Sequence, residues 1–212
     1  MKLLLTACCL LLALGIAHSQ NEKFNAFSIE AGPGALVPLS PNDNISRANY
    51  VGFNQFNLGA RYMFSTSLGV KGSYHYNGFR SRQNSAEGID YHRLTVEAVY
   101  NVGRLFKFPL RFYEKFGLLT HAGVGYARGI PVGANFSEQT GNLQWGLTPK
   151  FKISNSMAIY GDLTYVFNFK QHYAYDGSVL SSDFEDVTGG FTTVGIGIMF
   201  YFGEERRHAD WY

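Results

Sequence analysis

Cysteine is nearly missing from this chain. Of its 212 residues only Cys8 and Cys9 are cysteines, and both lie in an apolar N-terminal stretch. Once that stretch is removed, no disulfide, thiol nucleophile or cysteine metal site remains. Charge is also sparse, at 16% of residues against about 25% in an ordinary globular chain. Neither sign dominates. Lys+Arg total 18 against 16 Asp+Glu, and without Lys2 the net charge is about +1, which excludes an electrostatic nucleic-acid binder. Beyond the N-terminus no apolar run is long enough to cross a bilayer as a helix. If the chain spans a membrane it does so as strands, because only helices and closed barrels satisfy the backbone in lipid.

The N-terminus reads as a secretory signal over residues 1–20. Lys2 supplies the positive region, Leu3 to Ala17 the apolar core, and His18, Ser19 and Gln20 the polar cleavage zone. Leu5-Thr6-Ala7-Cys8 superficially matches a lipoprotein box, but the apolar run continues past Cys8, which favours the ordinary signal. What the chain has in excess is glycine, 24 residues, and aromatics, 16%. With a mean hydropathy near zero, this composition suits a barrel that is apolar outside and polar within.

Eight segments alternate apolar and polar residues with a period of two, which a helix cannot accommodate. They are Ala26 to Leu36, Phe53 to Phe64, Leu68 to Asn77, Tyr91 to Val102, Tyr113 to Ala127, Leu143 to Ile153, Met157 to Lys170 and Gly190 to Phe202. In the second, for example, Phe56, Leu58, Ala60, Tyr62 and Phe64 oppose Gln55, Asn57, Gly59 and Arg61. Pro149 interrupts the sixth and predicts a bulge or a break in pairing, since proline removes a ladder donor. Ser65 to Ser67 and Ser154 to Ser156 are tight turns, whereas Pro38 to Tyr50, Gly78 to Asp90, Arg128 to Asn142 and Gln171 to Gly189 are long and polar. Short turns on one side and long loops on the other are the asymmetry of an outer-membrane barrel.

The expected fold is therefore all-β: an eight-stranded antiparallel up-and-down transmembrane β-barrel over residues 21–203, followed by a periplasmic tail, 204–212. Aromatic girdles are expected at both rims. Tyr74, Tyr76, Tyr126, Trp145, Phe167 and Phe169 form the outer one, and Tyr62, Phe64, Tyr100, Phe116, Phe200 and Phe202 the inner. Gly103 to Arg111 is long for an inner turn. Its Arg104, Lys107 and Arg111 interleave with Leu105, Phe106, Phe108 and Leu110, which suits either an interfacial segment or a loop packed over the barrel base. A soluble lipocalin-like barrel is the competing fold, but it would need neither two girdles nor four long loops on one side.

The polar face carries Glu30, Arg61, Lys71, Arg93, Glu97, Lys150, Asp162 and Lys170. Eight strands leave a bore that side chains can fill, and enclosed charges must pair or stay hydrated. A salt-bridged plug is the favoured reading. The rival is a narrow, weakly anion-preferring path, since bases outnumber acids in this set. Catalysis has little support, because His92, His121 and His172 have no serine or acid partner at an informative spacing. Asp176, Asp183, Glu185 and Asp186 gather in the last long loop without a fixed ligand spacing, so a solvated loop is favoured over a cation site. No metal or cofactor is expected. Asn44-Ile-Ser46 and Asn135-Phe-Ser137 match a glycosylation acceptor, a pattern that would carry little meaning in an outer-membrane barrel.

The chain resembles the membrane domain of OmpA-family outer-membrane proteins across nearly the whole segment after the signal. The resemblance rests on Gly117-Leu-Leu-Thr-His-Ala-Gly-Val-Gly125, Gly146-Leu-Thr-Pro-Lys150, Lys170-Gln-His-Tyr173 and the last strand. The ending Gly197-x-x-Phe200-x-Phe202 looks like the signal read by the barrel-assembly machinery. In that family a peptidoglycan-binding domain usually follows the barrel. Gly203 to Tyr212, ending His208-Ala-Asp-Trp-Tyr212, looks like the start of that connection, and no such domain follows in this sequence. The resemblance implies a structural, envelope-integrity role with surface-exposed loops. The alternatives are a porin-like small-solute channel and a loop-based adhesin or receptor. The partners it implies are outer-membrane lipids and lipopolysaccharide, the assembly machinery during insertion, and an unidentified extracellular or periplasmic protein, but no nucleic acid.

Overall fold

A computed structural model describes residues 23–41, 45–105, 114–180 and 187–211. Alternating side chains give eight strands: β1 (Phe27–Ser40), β2 (Gly52–Met63), β3 (Leu68–Arg80), β4 (Gly88–Asn101), β5 (Phe116–Pro131), β6 (Glu138–Lys152), β7 (Met157–Gln171) and β8 (Val187–Phe202). Each pairs antiparallel with its neighbour in sequence, and β8 pairs with β1 to close the barrel. Closure removes the two unpaired edges that lipid would not tolerate.

The register fixes the shape. Stepping across paired residues from Phe27 through Tyr62, Val70, Ala98, Ala122, Trp145, Tyr165 and Thr192 returns to β1 at Val37. That is ten residues up the strand from the start, a stagger that tilts the strands by about 40° and leaves room for side chains rather than a pore. Outward residues such as Leu58, Leu94, Val96, Val124, Leu163 and Ile196 are exposed, and their polar neighbours are buried. An exposed apolar exterior around a polar interior is the reverse of a soluble barrel and matches a lipid-facing wall.

The strands run further outward than the sequence alone suggests. β3, β5 and β6 each take residues from the expected long loops, and β6 begins at Glu138 rather than Leu143. Trp145 therefore sits midway along β6 and not at the outer rim. Its Nε1 donates to Thr120 Oγ1 at 3.1 Å, which satisfies the indole where no water is at hand. Pro149 pairs with Leu118 of β5, while on the β7 side the ladder runs from Leu147–Leu163 to Lys150–Tyr160 with the two positions between left unpaired. The register is kept, so Pro149 makes a gap and not a bulge. The inner connection after β4 begins with a short helix, α1 (Val102–Leu105). Phe106, Lys107, Phe108, Leu110 and Arg111 lie outside the described residues, as do Asp183, Glu185, Asp186 and the signal segment.

The tail folds back onto the barrel. Asn25 N donates to Arg207 O and Ala209 N donates to Asn25 O, a parallel bridge that holds His208 beside Asn25. A 3-10 turn, Ala209–Trp211, then places Asp210 and Trp211 inside the inner mouth. The segment expected as the start of a connection is thus part of the barrel's own packing. Its His208, Asp210 and Trp211 are buried where buried cations need a carboxylate.

Candidate functional site

The barrel interior is closed at three levels. At the outer end Phe79, Tyr91, Tyr175 and Phe191 pack together with Leu36, Tyr50, Ile89 and Val166. Phe79 meets Tyr175 at 4.4 Å and Phe191 at 5.2 Å between ring centroids, and the latter pair is edge-to-face, a favoured aromatic geometry. Tyr175 comes from the last outer loop. Its hydroxyl donates to the carbonyls of Ser40 and Gly190, tying that loop to β1 and β8. Burial pushes the Tyr175 hydroxyl well up from its ordinary value, so it stays a donor. Arg93 lies just beneath. It donates to Asn77 Oδ1 at 2.7 Å and Gln144 Oε1 at 2.9 Å, and its guanidinium faces the Phe191 ring at 5.3 Å.

At mid-height a chain of charges crosses the lumen. Lys71 Nζ lies 3.2 Å from Glu30 and 3.5 Å from Glu97. Glu97 Oε2 contacts His121 Nδ1, and His121 Nε2 lies 3.1 Å from Asp162 Oδ2. Thr95 donates to Glu97 at 3.1 Å, while Thr148 and Thr164 donate to Asp162 at 2.9 and 2.6 Å. His121 thus has acid partners on both sides, from residues 24 and 41 positions away. No local spacing could have revealed them. A glycine makes the room. A Cβ at Gly146 would stand 2.5 Å from both His121 Nε2 and Thr164 Oγ1.

At the inner end Arg61 grips Asp210 with both terminal nitrogens, at 2.7 and 2.6 Å. Lys150 Nζ lies 2.6 Å from Asp210 Oδ2, and Tyr201 donates to the same oxygen at 3.2 Å. Burial alone would raise the Asp210 carboxyl, but Arg61 and Lys150 outweigh it and hold it well below the carboxylate range. His208 stacks on Tyr201 at 4.4 Å and accepts the Asp210 N–H at Nδ1. Burial lowers its pKa against the pull of Asp210 and keeps the ring neutral.

Of the expected interior charges, the structure brings Glu30, Lys71, Glu97 and Asp162 into one chain, pairs Arg61 and Lys150 at the base, and sets Arg93 among amides. Lys170 is a correction. The β7–β8 register shifts between Asn168 and Gln171, and Lys170, at φ +57°, turns outward and is exposed. Bulges re-aim side chains in this way. Glu138 and Asp210 enter the set instead. Among the described residues the interior then holds Glu30, Glu97, Glu138, Asp162 and Asp210 against Arg61, Lys71, Arg93 and Lys150, so the excess of bases disappears there.

On the outer surface Tyr62, Tyr100, Phe116, Phe200 and Phe202 ring the inner end, and Phe64 follows β2 there, half-buried. Tyr126, Phe167 and Phe169 are exposed near the outer end, where Tyr74 and Tyr76 flank His92. His92 Nδ1 lies 2.7 Å from the Tyr74 hydroxyl. Gly197 of the terminal signal faces inward, where a Cβ would stand 2.6 Å from the ring of Tyr160, its pairing partner.

Comparison with known proteins places this geometry. The family model for the outer membrane protein beta-barrel domain matches residues 6–202. Among solved structures, Neisserial surface protein A (NspA) aligns over 85% of this chain and 100% of its own, with a TM-score of 0.55 and 13% identity. A major outer membrane protein from Thermus thermophilus aligns over 84% of this chain and 98% of its own, at 0.54 and 14%. The N-terminal β-barrel domain of Pseudomonas aeruginosa OprF aligns over 85% and 100%, at 0.49 and 12%. A search of curated proteins finds no sequence match. At these identities the structural likeness speaks for the fold alone. The family match spans the barrel from its first strand to its last, and the chain belongs to the outer membrane protein beta-barrel domain family, as a closed eight-stranded barrel.

Proposed function

We propose that this protein is a sealed, non-conducting and non-catalytic wall element of the outer membrane that supports envelope integrity and holds loops outside. The observation that carries this is the triple closure of the lumen: aromatic packing outside, the Lys71–Glu97–His121–Asp162 chain at mid-height, and Asp210 between Arg61 and Lys150 at the base. An ion would have to displace paired charges at two levels, each costly to break. The girdles support outer-membrane lipids, lipopolysaccharide included, as its partners.

Refolded full-length protein in a planar bilayer tests the reading. Folding is verified by its altered migration in an unboiled detergent gel, and negligible current is expected. Sustained conductance that changes on neutralising Arg61, Lys71 or Glu97 would replace it with the small-solute channel.

One observation favours a second reading, a loop-based adhesin or receptor. On the outer side Phe136 stacks on Tyr173 at 5.4 Å while 53% exposed, and Val179 is 70% exposed. Exposed apolar groups held in place suit contact with another surface. Trimming the last outer loop tests it only if Tyr175 is kept, because that side chain belongs to the lumen cap. Cell-surface binding that survives removal of Phe136, Tyr173 and Val179 would refute it.

A further inference from the structure

The inner end carries a second feature, at the rim of the inner mouth. A concavity of about 550 Å³ opens between the start of β5, the β6–β7 turn and the docked tail. Among the described residues four cations line it, Lys115, Lys152, Arg206 and Arg207, against one acid, Glu114. None of the four forms a salt bridge with a described carboxylate. Glu204 and Glu205 precede the two arginines in sequence but do not line the hollow. The back wall is Trp211, whose ring lies under Lys152 Nζ at 5.7 Å and, at 4.9 Å, under Lys150 Nζ. A cluster of like charges around an aromatic wall is costly in the absence of an anion and favourable in its presence.

The position says which anion. Phe116 and Phe151 pack at 5.0 Å on the outer surface immediately beside the site, and Lys152 follows Phe151 directly in β6. Those rings belong to the inner girdle, so the four cations stand at the height of the inner-leaflet headgroups. We propose that this hollow binds the phosphate of an anionic phospholipid of the inner leaflet, with Arg206 and Arg207 closing over it from the tail and Lys115 and Lys152 meeting it from the barrel. Two of the four cations arrive only when the tail docks, so the lipid and the Asp210 anchor hold the tail in the same place. The proposal rests on the docked tail and not on whether the lumen conducts, so each can fail without the other.

The test uses the full chain refolded into nanodiscs of phosphatidylcholine with or without phosphatidylglycerol, and native mass spectrometry to count lipid retained on release. Wild type should retain phosphatidylglycerol in preference to phosphatidylcholine. Arg206→Gln with Arg207→Gln should lower that preference at least about tenfold, given the attraction of each surface cation for an anionic leaflet. Both arginines are exposed, so the barrel stays folded, as its unboiled gel mobility will report. Lys152→Gln supplies an independent second variant. Titration with inorganic phosphate separates the sources. Displacement of the lipid only at high concentration supports the headgroup, whereas equal affinity for free phosphate, or binding of a peptidoglycan fragment with no lipid preference, overturns it. Unchanged lipid retention in both variants also overturns it.

Discussion

Replacing Asp210 by Asn keeps the shape of the inner closure and removes its charge, leaving Arg61 and Lys150 buried without a carboxylate. Breaking a buried pair from one side costs about 3–5 kcal/mol. Urea unfolding of refolded Asp210→Asn should show a loss of that order; a loss under about 1 kcal/mol would mean the tail contributes little. Acid should act in the same direction. Asp210 is depressed, so its contribution is full above the ordinary carboxylate value of about 3.9 and fades as pH falls through its lowered one. His208 is also depressed, and an undocked His208 takes up a proton first. Tail docking therefore weakens as pH falls below about 6.5, the ordinary histidine value. Trp211 fluorescence, in a Trp145→Phe background, should report the release. His208→Gln should flatten the profile between about pH 6.5 and 4, leaving only the carboxylate limb.

Among the strands, glycines decide where large side chains can enter the lumen. Gly146 faces His121 and Thr164, and Gly197 faces Tyr160, each with no space for a methyl group. Gly146→Ala should push the His121 ring off Asp162 and destabilise the barrel by about 1–3 kcal/mol, the usual cost of overpacking. A stability equal to wild type would show that the ring moves freely. Gly197→Ala should lower stability in a protein refolded without any assembly factor, because the Ala31 carbonyl and the Tyr160 ring must both shift. The terminal signal read from Gly197, Phe200 and Phe202 then has a packing reason at its first position, beside any role in assembly. A purely recognitional glycine would leave refolded stability unchanged.

At the scale of the whole barrel, the outer closure depends on a loop. Tyr175 is fully buried against Phe79, yet it belongs to neither β7 nor β8. Tyr175→Ala removes an aromatic from a packed cluster, a change worth about 3–5 kcal/mol. It should lower the unfolding midpoint in urea, and amide exchange should rise at the outer ends of β1 and β8, where its hydroxyl is anchored. Exchange unchanged there would separate the loop from the barrel's stability. Loop deletions meant to test surface binding will confuse the two effects unless this residue is spared.

The period-two alternation was enough to number the strands, orient their faces and place the membrane. It depends only on which residues are neighbours along a strand, and each face has one solvent. The identities of most interior charges followed from the same parity. Their pairing did not. Glu97, His121 and Asp162 meet through strands 24 and 41 residues apart, and one bulge was enough to turn Lys170 out of the lumen. The tail was the largest gap. Gly203 to Trp211 carries no alternation and no motif that marks a plug. It docks because Arg61 and Lys150 converge across a closed barrel on a space that Asp210 fills. That convergence comes from the stagger of eight strands, and tertiary structure alone sets it.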